Sequence, residues 1–160
     1  IKPDLITLGK GISSSLPISA VLGKSEIIDV DLDANLSGTH AGNAVCCAAS
    51  LANLEFLTDK SFQDDLQPKI EYFEKRCKKL LEYDLVSKVN EKGMVAGIIF
   101  DSTESANKVV EHCLLNGVLP VCTFRESIKL GPPLTISIEA LEEAFNVIED
   151  AITTLETTNE

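Results

Sequence analysis

The sequence predicts an α/β fold, and three observations carry that expectation. Beyond residue 65, short β-rich runs alternate with segments in which apolar residues recur every three to four positions, the pattern of helices layered on a small sheet. The 160 residues are 44% hydrophobic and 24% charged, enough to bury a real core. No apolar run reaches the roughly 18 residues that a membrane-crossing helix needs.

Leu5 to Leu8 is a short β-rich run closed by Gly9, and Ile18 to Leu22 is a second one closed by Gly23. A Gly/Ser loop from Gly9 to Ser15 separates them and ends at Pro17. Ser25 is placed to cap a short helix through Asp29, with Glu26 as a favourable first-turn charge. Asp31 to Ser37 reads as a surface loop. From Asn43 to Thr58 the chain is rich in Ala, Cys and Leu almost all round, which predicts a buried helix whose small residues admit a second backbone. Residues 59–65 are polar and read as a domain boundary or a long turn.

Leu66, Ile70, Phe73, Cys77 and Leu81 then predict an amphipathic helix with lysines on its wet face. Two strands follow, Leu85 to Val89 and Val95 to Phe100, joined by a turn at Asn90 to Gly93. Ser102 to Asn116 is helical, with Asn116-Gly117 as its stop signal. Val118 to Thr123 and Ile128 to Leu130 are short strands around a turn at Arg125 and Glu126. Pro132-Pro133 ends the sheet because proline lacks the amide that a ladder requires. Ser137 caps a last helix that turns Leu141, Ala144, Phe145, Ile148, Ile152 and Leu155 inward and frays from Thr157.

The net charge of −11 repels nucleic acid phosphates and anionic lipid, so neither nucleic acid nor membrane is an expected partner. Splitting the chain at residue 60 leaves both parts acidic, so no basic patch hides behind the average. Five cysteines without a Cys-x-x-Cys pair suggest neither a disulfide framework nor a metal site, and fit a reducing cytoplasm. The chain starts at Ile1 without a Met or a signal segment and goes straight into a strand, so it is expected to be cut from a longer protein.

Phosphate-loop, zinc-protease, dinucleotide and nucleophile-elbow motifs are all absent. The most unusual local feature is Gly9-Lys10-Gly11, a lysine between two glycines directly after a strand. Such glycines remove bulk around the lysine stem, and an amine used for imine chemistry needs that access to a carbonyl carbon. Alone, the tripeptide is more often a solvated turn. His40 reads as part of a turn, His112 as solvated, and Cys46 and Cys47 as small core residues. Asp4 is early in the chain and exposed in pattern.

Three blocks change the odds. Lys2-Pro3-Asp4-Leu5-Ile6-Thr7-Leu8-Gly9-Lys10-Gly11-Ile12-Ser13, with Leu16-Pro17-Ile18-Ser19-Ala20-Val21-Leu22-Gly23 behind it, is the first. Gly38-Thr39-His40-Ala41-Gly42-Asn43 and Lys129-Leu130-Gly131-Pro132-Pro133-Leu134-Thr135-Ile136 are the others. In this order they resemble class III aminotransferases, fold-type I enzymes that use pyridoxal 5′-phosphate, over nearly the whole chain.

The resemblance implies the C-terminal part of that fold, with residues 1–60 completing the large cofactor domain and 61–160 forming the small α/β domain. It implies Lys10 as the Schiff-base lysine, which holds the cofactor and then shuttles a proton. Thr39 would bind the cofactor phosphate of the neighbouring subunit in a homodimer. Many members carry an arginine for the substrate carboxylate where this chain has Lys129, and Arg125 lies close enough in sequence to help. Ser14-Ser15 stand where many members have Gly-Gly. The implied reaction moves an amino group from an amine or amino acid to a 2-oxo acid. The ring-nitrogen aspartate and the main phosphate loop would lie upstream, so the fragment alone is expected to be nearly inactive. Racemases and aminomutases share the fold and remain open, as does a non-catalytic binding or oligomerisation fragment in which Gly9-Lys10-Gly11 is only a turn.

Overall fold

A computed structural model describes residues 2–29 and 38–159, so the loop expected at Asp31 to Ser37 lies outside the described residues. The chain divides into two compact units, Ile1–Gln63 and Asp64–Glu160.

In the first unit, β1 (Leu5–Leu8) pairs antiparallel with β2 (Ala20–Gly23), Leu5 opposite Gly23 and Leu8 opposite Ala20. Between them Lys10–Ser13 winds into one 3-10 turn where the sequence predicted an open loop. A short helix, α1 (Ser25–Ile28), follows, and Lys24 rather than Ser25 is its cap. The Ser25 hydroxyl bonds the Asp29 carboxylate instead. Helix α2 (Ala44–Thr58) is capped by Asn43, whose Oδ1 accepts from the amides of Val45 and Cys46 at 3.1 and 3.2 Å. Its predicted burial is not seen: Ser50 is its buried residue, Val45 is 69% exposed and Phe56 49%. Cys46 is half-buried and Cys47 exposed. A helix that is apolar all round needs cover on every side, and the described residues supply it mainly along the 3-10 turn.

Residues 60–65 are not a turn. Asp59 Oδ1 accepts from the amides of Ser61 (2.9 Å) and Phe62 (3.2 Å) and so starts α3 (Lys60–Lys79), which carries Pro68 in its interior. At its end the chain tightens into a 3-10 turn, Leu80–Glu82. The wider angular step per residue turns Leu80 inward and leaves Leu81 outside, the reverse of the prediction.

The second unit is built on one antiparallel sheet in the order β3-β4-β6-β5, from β3 (Val86–Lys92), β4 (Val95–Phe100), β5 (Val121–Cys122) and β6 (Ser127–Leu130). Gly93, at φ +60, makes the β3–β4 turn, and its amide donates to Glu74 Oε1 at 2.9 Å. Helix α4 (Thr103–Leu115), capped by Ser102, and α5 (Ile138–Asn159), capped by Ser137, complete the layer. Helix α5 runs to Asn159 without the predicted fraying. Strand alternation sends Ala96, Ile98, Phe100, Ile128 and Leu130 to one face, where they share a core with Phe73, Cys77, Val109, Cys113, Phe145 and Ile152. The Phe73 and Phe145 rings meet edge-on at 5.6 Å. Burial pushes the Cys77 thiol up to about 12 and the Cys113 thiol up to about 11, so both stay protonated. His112 is not simply solvated, because its Nε2 lies 2.9 Å from Asp150 Oδ2.

Helices α3 and α5 are also joined by charge. Arg76 Nη2 meets Glu149 Oε1 at 2.9 Å, Lys79 Nζ meets Glu149 Oε2 at 2.9 Å, and Arg76 further bonds Tyr72 and Asn146. The Arg76 and Glu149 side chains are only 13% and 15% exposed. Burial pushes the Glu149 carboxyl up, but the hydrogen bonds from Lys79 and Arg76 outweigh it and hold the group below its ordinary 4.5. Glu149→Ala strands a mostly buried guanidinium and is expected to destabilise the protein by about 2–4 kcal/mol, read as a lower denaturation midpoint. Because the folded value is depressed, the network's contribution is whole above pH 4.5 and is lost as the pH falls through the depressed value. Acid titration of stability should therefore be shallower in Glu149→Ala than in the parent.

Candidate active site

Lys10 stands at the end of β1, first residue of the 3-10 turn, with its side chain exposed. Its φ is +49, a left-handed conformation that residues with a Cβ seldom adopt. Among the described residues its amine has neither a hydrogen-bond partner nor an ion-pair partner. A Cβ on Gly11 would meet nothing within 4 Å, so the lysine stem is approachable from that side. Ser14 has φ +64, and it occupies one of the positions where the family resemblance expects glycine. Ser13 is buried, with its hydroxyl bonded to the Leu16 carbonyl. Asp4 is engaged elsewhere, 3.2 Å from Lys24 Nζ.

Thr39 lies in the exposed turn that precedes α2, a turn closed by the Ala41 amide donating to the Gly38 carbonyl at 2.9 Å. Neither its hydroxyl nor a Cβ placed on Gly38 meets a partner there among the described residues. Asn43 already occupies the free amides at the start of α2, so an anion held in this turn would draw on the Thr39 hydroxyl and the turn's own amides.

In the second unit, alternation places Lys129 on the open face of the sheet, because its neighbours Ile128 and Leu130 are both buried. Its direct cross-strand partners are Gly97 on β4 and Val121 on β5. Gly97 has no side chain and a Cβ there would meet nothing within 4 Å, so the lysine stem is clear on one flank. Arg125 stands exposed in the β5–β6 loop beside Phe124, which is 86% exposed with φ +58. Thr123 Oγ1 donates to the Ser127 carbonyl at 2.6 Å and braces that loop. The same unit holds a cavity of about 440 Å³ between β5, β6 and α5, lined mostly by apolar residues such as Leu119, Pro132, Ile136 and Phe145.

The family model described as "Aminotransferase class-III" matches residues 1–152. The chain belongs to the class III aminotransferases. It is 34% identical to the isoleucine 2-epimerase of Lentilactobacillus buchneri, over 98% of this chain and 37% of that protein. It is 31% identical to the 2-aminoadipate transaminase of Pseudomonas putida, over 97% of this chain and 40% of that protein. Its fold matches the acetylornithine aminotransferase of Elizabethkingia anophelis with a TM-score of 0.83 at 31% identity, covering 96% of this chain and 42% of that one. The chain thus spans about two fifths of the length of these relatives.

Class III aminotransferases are pyridoxal 5′-phosphate enzymes. The first unit fits that group: an exposed primary amine without a partner among the described residues suits an aldehyde, and the exposed Thr39 hydroxyl suits a phosphate. Gly97 and Asn53 were not singled out in the sequence. The first carries a readable signal, a glycine inside a strand. The signal of Asn53 is a polar residue inside an otherwise apolar helix.

Left-handed backbone at a residue with a Cβ costs about 1–2 kcal/mol. Ser14→Gly and Phe124→Gly are each expected to stabilise the protein by about 1 kcal/mol, measured as a rise in thermal midpoint.

Proposed function

We propose that this chain forms the C-terminal part of a subunit that transfers an amino group from an amine or amino acid to a 2-oxo acid, with Lys10 as the residue that bonds pyridoxal 5′-phosphate. The observation that carries the reading is the Lys10 amine itself, exposed at a strand end between two glycines and without a partner among the described residues. When bound, the cofactor supplies an aldehyde for the amino group and a conjugated ring that withdraws electrons from the substrate carbon beside it. Lys10 Nζ would hold the cofactor, and the same amine would serve as the base that moves the proton of the substrate carbon. Thr39 donates its hydroxyl and backbone amide to the phosphate bound at a neighbouring subunit, which makes the working species a homodimer. Lys129 attracts the substrate carboxylate as a point charge, and Arg125 adds a second positive charge from the loop. Residues 1–60 belong to the large cofactor-binding domain and 61–160 to the small one. The rest of the site comes from the remaining three fifths of the protein, and this fragment alone is nearly inactive. Five cysteines, all free, favour a cytoplasmic setting, and no described helix is long and apolar enough to cross a membrane.

A second reading has support of its own. The 34% identity to an isoleucine 2-epimerase favours an enzyme that inverts an amino acid centre with the same lysine and cofactor. A transaminase consumes one 2-oxo acid for each amino group moved, whereas an epimerase turns over without any. Substrate loss by the whole protein, measured with and without added 2-oxo acid, separates the two.

Borohydride reduction of the cofactor-loaded whole protein, followed by peptide mapping, should place the adduct on Lys10. Lys10→Ala should lose the adduct and lower turnover at least about 1,000-fold. An adduct elsewhere, or none, would return the chain to the reading of a binding or oligomerisation segment. Lys129→Arg should lower the KM for carboxylate substrates a few-fold with little change in kcat, because a forked guanidinium grips a carboxylate at two points.

A further inference from the structure

The turn that carries Lys10 bends twice into left-handed backbone, at Lys10 (φ +49) and at Ser14 (φ +64). Two such residues within five positions persist only where the surroundings hold them. Local bonds close the turn: the Ile12 amide to the Gly9 carbonyl at 3.2 Å, and the Ser14 amide to the Gly11 carbonyl at 3.2 Å. These set its internal curl and leave its orientation free.

The outside hold comes from α2. The Asn53 side-chain amide donates to the Gly11 carbonyl at 2.8 Å and to the Ile12 carbonyl at 3.1 Å, across more than 40 residues of sequence. Two acceptors side by side require the amide nitrogen to face the turn, so both of its protons are used there. Gripping two successive carbonyls fixes the rotation of the turn as well as its place, which one bond could not do. Asparagine has no intrinsic advantage inside a helix, and α2 is otherwise rich in Ala, Cys and Leu. One turn earlier, Ser50 is buried with its Oγ unpartnered, so that neighbouring polar side chain does not share the task.

We propose that Asn53 is the positioning residue for Lys10, its amide bridging the Gly11 and Ile12 carbonyls to hold the lysine-bearing turn in the conformation that presents the amine. The proposal rests on the reading of Lys10 as the cofactor lysine. It concerns how that amine is aimed, since the bonds of Asn53 run to backbone carbonyls of the turn.

The test uses the whole protein loaded with pyridoxal 5′-phosphate, first confirming by borohydride mapping that the parent carries its adduct on Lys10. Asn53→Ala and Asn53→Asp remove the donors, the second at nearly constant shape. In both, the pH at which the visible absorption of the bound cofactor changes should move by about half a unit or more. In both, kcat should fall about tenfold or more while the KM for the amino donor stays within about threefold. Asn53→Gln, which keeps both donors on a longer stem, should recover part of each loss. Ser50→Ala, on the same helix face, should change neither. A purely structural asparagine would lower the thermal midpoint and leave the absorption titration and kcat of the folded variants within twofold of the parent, and that result overturns the proposal. If Asn53→Ala does not fold, Asn53→Asp and Asn53→Ser are judged by the same two readings. A parent adduct that maps away from Lys10 overturns the assignment of that lysine and this inference with it, before any Asn53 variant is made.

Discussion

Side-chain alternation in one four-stranded sheet governs the second unit. Ile98, Phe100, Ile128 and Leu130 must enter the core because helices α3, α4 and α5 cover only one face. Lys129, between two of them, is thereby committed to the other face. A slip of one residue in β6 would bury a charge and expose two aliphatic side chains at once, so the packing that stabilises the sheet also fixes where its cation points. Gly97 opposite and the two-residue strand β5 beside it leave that cation with little lateral crowding.

The first unit obeys a different constraint. Its two-stranded ribbon and exposed α2 bury little, and its definition comes from directed polar contacts: the Asn43 cap, the Asp59 cap and the Asn53 bridge to the 3-10 turn. Such contacts set direction well and contribute modestly to stability. The many apolar side chains left outside, Leu5, Ile6, Val21, Leu51 and Phe56 among them, match a segment whose packing partners belong to the longer protein implied by its relatives.

What the sequence made legible follows from how local each signal is. The helices around Phe73, Val109 and Phe145 announce themselves because a one-sided stripe repeats every turn, and the alternation in β4 and β6 is equally local. Boundaries were less readable. The strand expected from Val118 shrinks to Val121–Cys122 because Pro120 has no amide for the ladder. The polar stretch at 59–65 read as a domain boundary or a long turn, and of these the turn is absent because Asp59 makes the stretch the start of α3. An all-apolar pattern told nothing about which side of α2 would find cover. At the candidate site, Lys10 stood out by its two flanking glycines, while Thr39 and Lys129 stood out through resemblance to a family. The Asn53 bridge was not readable, since its acceptors are backbone oxygens whose position depends on how the helix docks.

The two thiols sealed in the second unit have a consequence for handling the protein. Cys77 and Cys113 are fully enclosed and protonated, so an alkylating reagent reaches them only when the surrounding helices part. Cys47 lies open on the first unit and is modified without any such motion. Mass spectrometry after a timed pulse of iodoacetamide would thus clock the breathing of one half of the chain against an internal reference in the other.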